Sequence, residues 1–300
     1  MASFESLKNF RISRRHLLLG CGGAAALALY AGEVERHWIE VTESDVHLSG
    51  LPESFEGLRV VQLSDIHLDA YSEPLYIRHV VKKINGLNPD LVLLTGDFAS
   101  EWPGSKKYAI GAAWQCAEIL SGLTCREHYA IMGNHDVSVG AREVTEALTA
   151  HGITVLNNDY LPIERGGGRI WICGLDDPLN GEPDPDEAIP ASIRNIPHEP
   201  VVLMCHAPDY ADTLMADGAG RAVSLMLSGH THGGQVRVPL AGPLTLPQLG
   251  RKYVEGWFRF GQTSDRPGMR LYVNRGIGTV GVPFRFDCPP EISVFTLRRA

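Results

Sequence analysis

Five short segments of the chain combine carboxylate, amide and imidazole side chains in spacings that suit metal coordination. Each follows a short apolar run; they are Ser64-Asp65-Ile66-His67, Gly96-Asp97-Phe98, Gly133-Asn134-His135-Asp136, Cys205-His206 and Gly229-His230-Thr231-His232. Alternate residues of an extended segment share a face, so Asp65 and His67 can point at one centre. His230 and His232 can do the same if their rings straddle a pair of ions. Oxygen and imidazole ligands suit Zn, Mn and Fe.

Taken singly, each motif has a plainer explanation. A Gly-Asp pair after a strand is often only a turn, and a lone histidine such as His206 is often a hydrogen-bonded core residue. Five such segments in order, each at the end of a predicted strand, favour one shared centre, because ligands gather at the carboxyl ends of strands in α/β sheets. The glycines at 96, 133 and 229 would let the backbone turn sharply and approach bound ions closely.

The elements that must position these residues are predicted from the apolar pattern. Short apolar runs predict buried strands at 60–63, 91–94, 129–131, 170–172, 201–204, 224–227 and 271–273. Helical spacing lies between several of them, at 75–86, 107–121, 141–150 and 209–217. Residues 37–48 and 291–298 alternate like edge or antiparallel strands. The pattern predicts a mixed α/β domain whose sheets are covered by helices. Two segments, 176–200 and 239–268, are predicted to be long loops or insertions.

Composition excludes some classes of partner and of stabilising site. The formal net charge of −8 argues against nucleic acid, since binders of the phosphate backbone carry a basic patch or stripe. The six cysteines form no CxxC pair, and their spacing matches no disulfide framework or thiolate zinc site. We therefore expect six unpaired thiols with structural roles.

The amino terminus has the pattern of an export signal or a membrane anchor. Arg14 and Arg15 precede a stretch without charge over residues 17–32, and the pair resembles a twin-arginine signal. Ala26-Leu27-Ala28 would serve as a cleavage site. The alternatives are an uncleaved membrane anchor and a lipoprotein processed at Cys21. We expect residues 1–35 to be this segment and 36–300 to be the enzyme domain, exported by the twin-arginine machinery to the periplasm or to the outer face of the cytoplasmic membrane.

At the level of these motifs the chain resembles the calcineurin-like metallophosphoesterase superfamily. It is further similar to an exported YkuE/YaeI-type phosphodiesterase branch, which includes a UDP-2,3-diacylglucosamine pyrophosphatase. Besides the five motifs, the similarity rests on segments from residue 36 to the end of the chain, namely 233–237, 250–253, 274–279 and 288–292. The resemblance implies that residues 36–300 are a metallophosphoesterase domain with the fold of a four-layer α/β/β/α sandwich.

The resemblance also implies a ligand set for two divalent ions. By motif these ligands are Asp65, His67 and His232 for one ion, Asn134, His206 and His230 for the other, and Asp97 as the bridge between them. His135 would face the substrate and protonate the leaving oxygen, and Asp136 would orient that imidazole. Ser100 stands where the superfamily often has a second aspartate, which bears on how the ligands are tuned.

The expected chemistry is hydrolysis of phosphodiester or pyrophosphate bonds by in-line attack of a hydroxide that bridges the two ions. Arg275 and Arg251 are candidate phosphate contacts, or else surface arginines. The alternatives are a phosphomonoesterase, a UDP-2,3-diacylglucosamine pyrophosphatase of lipid A synthesis, and a metal-bound binding protein without catalysis. The substrate would be a small-molecule or lipid-linked phosphoester. The 239–268 segment carries apolar side chains that would either suit a lipid or pack over the sheet: Leu240, Leu244, Leu246, Leu249, Trp257 and Phe258.

Overall fold

Two six-stranded sheets lie face to face, and helices cover both outer surfaces. The computed structural model describes residues 13–69, 71–100, 105–196, 199–262 and 268–300. Helices α1–α7 span Arg14–Leu29, Pro74–Gly86, Lys106–Leu120, Asn134–Ala150, Pro185–Ala188, Ala191–Arg194 and Ala211–Ala216. Strands β1–β14 span Glu40–Leu48, Arg59–Leu63, Leu91–Leu94, His128–Ala130, Thr154–Val155, Asp159–Arg165, Gly168–Gly174, Val201–Met204, Leu225–Ser228, Arg237–Val238, Gly242–Pro243, Gly256–Phe260, Met269–Val273 and Glu291–Arg299.

The first sheet contains the strands that precede three of the five motifs. Its order is β1-β14-β2-β3-β4-β5, and the strands from β2 to β5 are parallel. Strand β14 runs antiparallel to β2 and parallel to β1. The carboxyl ends of β2, β3 and β4 therefore meet at one edge.

The second sheet contains the strands that precede the other two motifs. Its order is β12-β13-β9-β8-β7-β6, with a parallel centre and antiparallel strands β6 and β12 at its two edges. Gln62 of the first sheet donates from Nε2 to the Ser228 carbonyl of the second at 2.9 Å, which ties the sheets together next to the motif edge.

Alternation along the central strands separates the hydrophobic cores. In β3, Leu91 and Leu93 face the second sheet, whereas Val92 and Leu94 face helices α2–α4. In β8 the same alternation sends Val202 and Met204 inward and Val201 and Leu203 towards α5–α7. Because both faces are covered, these strands read as continuous apolar runs. The four-layer α/β/β/α sandwich is confirmed.

The predicted central strands and helices are present, but both predicted loops contain secondary structure. The 176–200 segment includes the one-turn helices α5 and α6, and the 239–268 segment includes β11 and the whole of β12. Trp257 of β12 packs against Tyr272 and Phe295 between the sheets, with ring centroids 4.8 and 5.6 Å away. Strands β5, β6 and β10 were also missed, because short or partly exposed strands have no long apolar run.

Helix α1 stands apart from the sandwich. None of its residues is buried, although the helical backbone continues through π and 3-10 turns to His37. Over Arg14–His37 the helix is long and apolar enough to cross a membrane, a test that a signal sequence also passes. Residues 30–37, which we call the base of α1, contact the domain: Ala31 and Glu35 are buried there. All six cysteines are free, as predicted, and only Cys21 in α1 is exposed.

Candidate metal centre

The five motifs meet at the carboxyl edge of the two sheets. Backbone hydrogen bonds join their loops: the Asp65 N–H donates to the Gly96 carbonyl at 3.0 Å, and the Gly229 N–H donates to the His206 carbonyl at 3.1 Å. The side chains predicted as ligands are buried, except for the partly buried Asn134. The structure therefore brings together residues from positions 65 to 232 of the chain.

One group of ligand atoms is formed by Asp65, His67 and His232. The His232 Nε2 lies 3.3 Å from the Asp65 Oδ1 and 3.1 Å from the His67 Nε2. Two imidazole nitrogens at that distance repel each other through their lone pairs unless a proton or a cation lies between them. The other His67 nitrogen, Nδ1, is 2.5 Å from the Ser100 hydroxyl, which leaves Nε2 for the centre.

A second group is formed by Asp97, His206 and His230, with ligand atoms within 4.8 Å of one another. The Asp97 Oδ2 lies 3.1 Å from the His206 Nε2 and also 3.3 Å from the His67 Nε2 of the first group. One carboxylate oxygen thus stands between the two groups. This is the position that a bridging ligand requires.

Among the described residues the buried Asn134 Oδ1 has no hydrogen-bond partner, and the buried His206 Nε2 has none beyond its 3.1 Å charge contact with the Asp97 Oδ2. A buried acceptor without a partner costs roughly 1–3 kcal/mol, so such atoms call for an explanation. Both are atoms that would ligate an ion under the predicted assignment. The donor set is therefore one that divalent cations fit.

Backbone conformation at the centre is unusual. Asp65, His67, Asp97, His230 and His232 have φ values of 51°, 45°, 60°, 73° and 51°, in the left-handed region that L-residues rarely adopt. All three predicted glycines allow the loops to pack closely, and a Cβ at Gly96 would lie 2.6 Å from the Gly133 nitrogen. A Cβ at Gly133 would collide with the Asp97 carboxylate, and one at Gly229 would collide with that of Asp65.

The buried carboxylates and two of the imidazoles hold opposite charges. Burial by itself would raise the pKa values of Asp65 and Asp97, but neighbouring histidines hold both well below their usual range. Burial opposes the charge on His67, yet these carboxylates raise the pKa of His67 to about 9. The His206 pKa is raised for the same reason, chiefly by Asp97. Cation binding would therefore release imidazole protons.

The other two histidines are neutral. Burial, together with the nearby His206, lowers the pKa of His230 to about 4, and burial also lowers that of His232. The His230 Nε2 contacts the Gln248 carbonyl at 2.7 Å, so this nitrogen carries the proton and Nδ1 keeps its lone pair. Neutral imidazole is the form that binds metal.

His135 lies beside the two groups and, like Asn134, is only partly buried. Its backbone N–H donates to the Asp97 Oδ1 at 2.9 Å, and its ring meets that of His67 edge to face at 4.8 Å between centroids. Burial lowers the pKa of His135. Its ring also forms a candidate metal-binding group with His67 and Asp97, so its role as proton donor stays a prediction.

Asp136 does not orient His135, contrary to the sequence-based prediction. Its carboxylate accepts hydrogen bonds from the backbone N–H groups of Asp97 (2.7 Å), Phe98 (2.8 Å), Gly133 (3.0 Å) and Ala99 (3.4 Å). Within the described part of the chain no hydrogen bond joins it to the His135 ring. Asp136 lies in the first turn of helix α4, and its side chain fixes the loop that carries Asp97.

We expect Asp136→Ala to lower the free energy of unfolding by about 3 kcal/mol or more, because it leaves several buried N–H groups unpaired at roughly 1–3 kcal/mol each. Chemical denaturation measures this loss. Asp209→Ala is the matched control: Asp209 also accepts from three backbone N–H groups, those of residues 251–253, but it is half-buried, so water can replace it. Equal losses in the two variants would contradict the role assigned to Asp136.

Of the two candidate phosphate contacts, Arg275 is already engaged. Its Nε lies 2.7 Å from the Glu291 Oε2, and its Nη2 lies 2.7 Å from the Glu40 Oε2. These carboxylates outweigh the effect of burial and raise the pKa of Arg275. The guanidinium thus ties β13 to β14 and β1 and is not free for a phosphate group. Arg251 has an exposed side chain beside Gly250, which packs near His230. Its contact role stays a prediction.

Sequence reasoning missed two residues at the centre. Arg285 is fully buried, donates to the carbonyls of Gly278 and Arg275 at 2.7 and 2.9 Å, and lies 3.4 Å from the His232 Nδ1. Asn180, from the segment predicted as a loop, donates to the Asn134 carbonyl at 3.0 Å. In the sequence, Arg285 is marked only as a lone arginine in the mostly apolar stretch around Pro283. Nothing in the sequence pointed to Asn180.

Residues 58–234 match the family model described as calcineurin-like phosphoesterase. The chain belongs to the calcineurin-like phosphoesterases. It is 36% identical to the uncharacterized metallophosphoesterase YkuE of Bacillus subtilis, over 96% of this chain and 98% of that one. It is 29% identical to phosphodiesterase YaeI of Escherichia coli, over 95% and 99%.

A third relative and a solved structure are also similar to the chain. The chain is 27% identical to the UDP-2,3-diacylglucosamine pyrophosphatase LpxG of Chlamydia trachomatis, over 88% of this chain and 91% of that one. Among solved structures, NAD nucleotidase of Haemophilus influenzae shares the fold, with a TM-score of 0.51 and 14% identity over 73% of this chain and 45% of that one. As a calcineurin-like phosphoesterase, the chain is a metal-dependent hydrolase of phosphate esters, and its clustered His and Asp side chains fit divalent metal ions.

Proposed function

We propose that the chain hydrolyses phosphodiester or pyrophosphate bonds with two divalent ions, which are Mn, Zn or Fe. The observation that carries the proposal is the position of Asp97, whose Oδ2 lies within 3.3 Å of a histidine from each ligand group. One ion would be held by Asp65, His67 and His232, and the other by Asn134, His206 and His230, with Asp97 between them. Bound ions supply a deprotonated water nucleophile and neutralise the phosphoryl oxygens.

The chain's own residues position the substrate and move a proton. His135 is held beside the centre by its backbone bond to Asp97 and by packing against His67, and it is only partly buried. In the proposal this imidazole protonates the leaving oxygen, which typically contributes about 10²–10⁴-fold. Asp136 acts indirectly, through the loop that carries Asp97. The exposed side chain of Arg251 is available to contact a phosphate oxygen.

A diester or pyrophosphate is favoured over a monoester by the named activities of the relatives YaeI and LpxG. LpxG also motivates a lipid-linked substrate as the second candidate. A UDP-2,3-diacylglucosamine substrate is made in the cytoplasm, however, and a twin-arginine signal would place this domain outside. A reporter fused to Ala300 and assayed on each side of the membrane distinguishes the two locations.

We further propose that residues 1–35 direct export by the twin-arginine route and that α1 stays attached as a membrane anchor, with residues 36–300 as the enzyme domain. The membrane length of Arg14–His37 and the absence of buried residues in α1 support this division. The contacts of Ala31 and Glu35 with the domain would hold the enzyme close to the membrane surface.

Metal removal tests the catalytic proposal. Treatment with a chelator is expected to abolish hydrolysis of bis(4-nitrophenyl) phosphate, and two equivalents of Mn²⁺, Zn²⁺ or Fe²⁺ are expected to restore it, because the ions supply the nucleophile. Parallel assays with 4-nitrophenyl phosphate measure the preference for diesters. Activity that survives chelation, or protein that binds two ions and hydrolyses neither substrate, would contradict the proposal.

A further inference from the structure

Six apolar side chains project into solvent around the base of α1, and they form what we call the apolar rim: Tyr30, Val238, Leu240, Leu244, Val282 and Phe284. Their exposed fractions run from 37% for Phe284 to 63% for Leu244, and Leu240 is fully exposed. Single exposed apolar residues are ordinary on protein surfaces. Six on adjoining segments mark an interaction surface.

Contacts between the segments show that the parts of the chain that carry the rim adjoin one another. The Tyr30 ring meets the Phe286 ring at 6.4 Å, and Gly32 packs against Phe284. Residues 235–238 then run beside residues 280–286 through the Val236–Phe286 bridge. The hairpin of β10 and β11 extends from there and carries Leu240 at its turn.

Leu240 is held in an uncommon conformation for a leucine. Its φ is 69°, in the left-handed region, where a bulky side chain is a genuine outlier. The hairpin thereby presents this side chain outward at a conformational cost, although burial would be more favourable for leucine in water. Such an outlier motivates a functional explanation.

The rim lies at the same edge of the sandwich as the candidate metal centre. Glu35, in the base of α1, accepts from the Cys288 N–H at 2.6 Å, and the Cys288 Sγ lies 3.2 Å from the His232 carbonyl. Arg285, which follows Phe284, contacts both the Ala31 carbonyl and the His232 ring. A single intervening residue, Cys288 or Arg285, therefore connects the base of α1 to the predicted ligand His232.

We propose that the apolar rim docks on the lipid bilayer that α1 enters, so that the metal centre opens towards the membrane surface. The proposal rests on α1 remaining as an anchor, as proposed above. A helix of membrane length that leaves the domain beside the rim brings these six side chains to the level of the headgroups. Apolar side chains insert there by about 5–10 Å. The substrate class that this orientation favours is a phosphoester carried by a lipid.

The balance of charge indicates which force drives docking. With a formal net charge of −8, the chain gains little from anionic headgroups, so the contact depends on burial of apolar surface. We therefore expect docking on zwitterionic vesicles that is insensitive to salt. This separates the proposed surface from the salt-dependent binding of a basic patch.

Fluorescent labels at single cysteines test the docking surface in the full chain. The probe is an environment-sensitive dye at Leu240→Cys or Val282→Cys in a Cys21→Ser background, with the protein in phosphatidylcholine vesicles that contain a nitroxide-labelled lipid. We expect blue-shifted emission that is quenched by roughly half, as for a group at the headgroup boundary. Glu53→Cys is the matched control, because this exposed residue lies near the Gly166–Gly168 turn, at the opposite edge from the metal motifs.

The native Cys21 separates failure of the docking surface from failure of the anchor. In the otherwise unchanged chain a dye on Cys21 reports α1 itself. A quenched label at Cys21 with labels at 240 and 282 as exposed as the one at 53 would overturn the docking surface and leave the anchor intact. An unquenched label at all positions would overturn both. In either case, hydrolysis of bis(4-nitrophenyl) phosphate tests the catalytic proposal independently.

A charged double variant provides a second test. With a dye at Leu244→Cys, the changes Leu240→Asp and Val282→Asp are expected to remove the blue shift and the quenching, because a carboxylate cannot enter the apolar layer without a large cost. Both residues are exposed, and neither is a predicted ligand or the predicted proton donor, so soluble diester hydrolysis is expected to stay within about twofold. Unchanged quenching at position 244 would contradict docking by the rim.

Discussion

Replacement of Asp97 by asparagine is expected to lower phosphodiester hydrolysis by at least about 10³-fold. The estimate follows because loss of metal-centred charge stabilisation costs several kcal/mol and each 1.36 kcal/mol is a factor of ten in rate. The Asp97 Oδ2 lies within 3.3 Å of both His67 and His206, so an amide there removes a negative charge that contacts both ligand groups. We also expect bound metal, measured by mass spectrometry of the elements, to fall below two ions per chain.

The opposite end of β3 supplies a control for Asp97→Asn. Asp90 immediately precedes β3 at the edge away from the metal motifs, is partly exposed, and accepts from the Arg59 N–H at 2.9 Å. Asp90→Asn is expected to keep two ions and to retain activity within about twofold. A full complement of metal and full activity in Asp97→Asn would rule out the bridging role.

The second large effect is expected for His135→Ala, with kcat lower by about 10²–10⁴-fold and both ions retained. Its imidazole contacts His67 through the ring edge, and only its backbone N–H bonds Asp97, so alanine preserves the bond that shapes the ligand loop. The measurement pairs steady-state kinetics with metal analysis. The loss of kcat should be smaller for a substrate with a better leaving group, because its leaving oxygen depends less on protonation.

His79→Ala is the control for this variant, because His79 is exposed on helix α2. It is expected to leave kcat unchanged. If His135→Ala lost metal together with activity, His135 would belong to the ligand set and would not be the proton donor. If the variant kept both its metal and its full activity, His135 would not be the proton donor.

The sequence allowed the centre of the fold to be predicted because its strands are buried on both faces. The apolar runs of β3 and β8 were located to the residue, since two covered faces leave no polar alternation. Strands β6 and β12 were missed because they are edges with mixed exposure, and β12 lies in a segment whose Pro and Gly content indicated a loop. Trp257 and Phe258, considered there as possible lipid contacts, pack on the sheets.

Convergence of the ligand candidates was predictable, but the supporting contacts were not. Parallel strands bring their carboxyl ends to one edge, so Asp65, Asp97 and His206 had to meet once the strands were placed. The partners of Arg275 and Asp136 depend on tertiary geometry: one guanidinium is paired with Glu291, and one carboxylate with backbone N–H groups. Neither pairing has a signature in residue spacing, and both predicted roles were wrong or incomplete for that reason.

The left-handed backbone at five of the candidate ligands implies a conflict between durability and activity. Each such residue costs of order 1–3 kcal/mol relative to a relaxed conformation, and the rest of the sandwich has to hold it in place. Substitutions that relieve the strain would make the chain more resistant to heat while disarranging the ligands. Selection for thermostability alone should therefore accumulate changes first at the loops after β2, β3 and β9, and heat-resistant survivors would be catalytically silent.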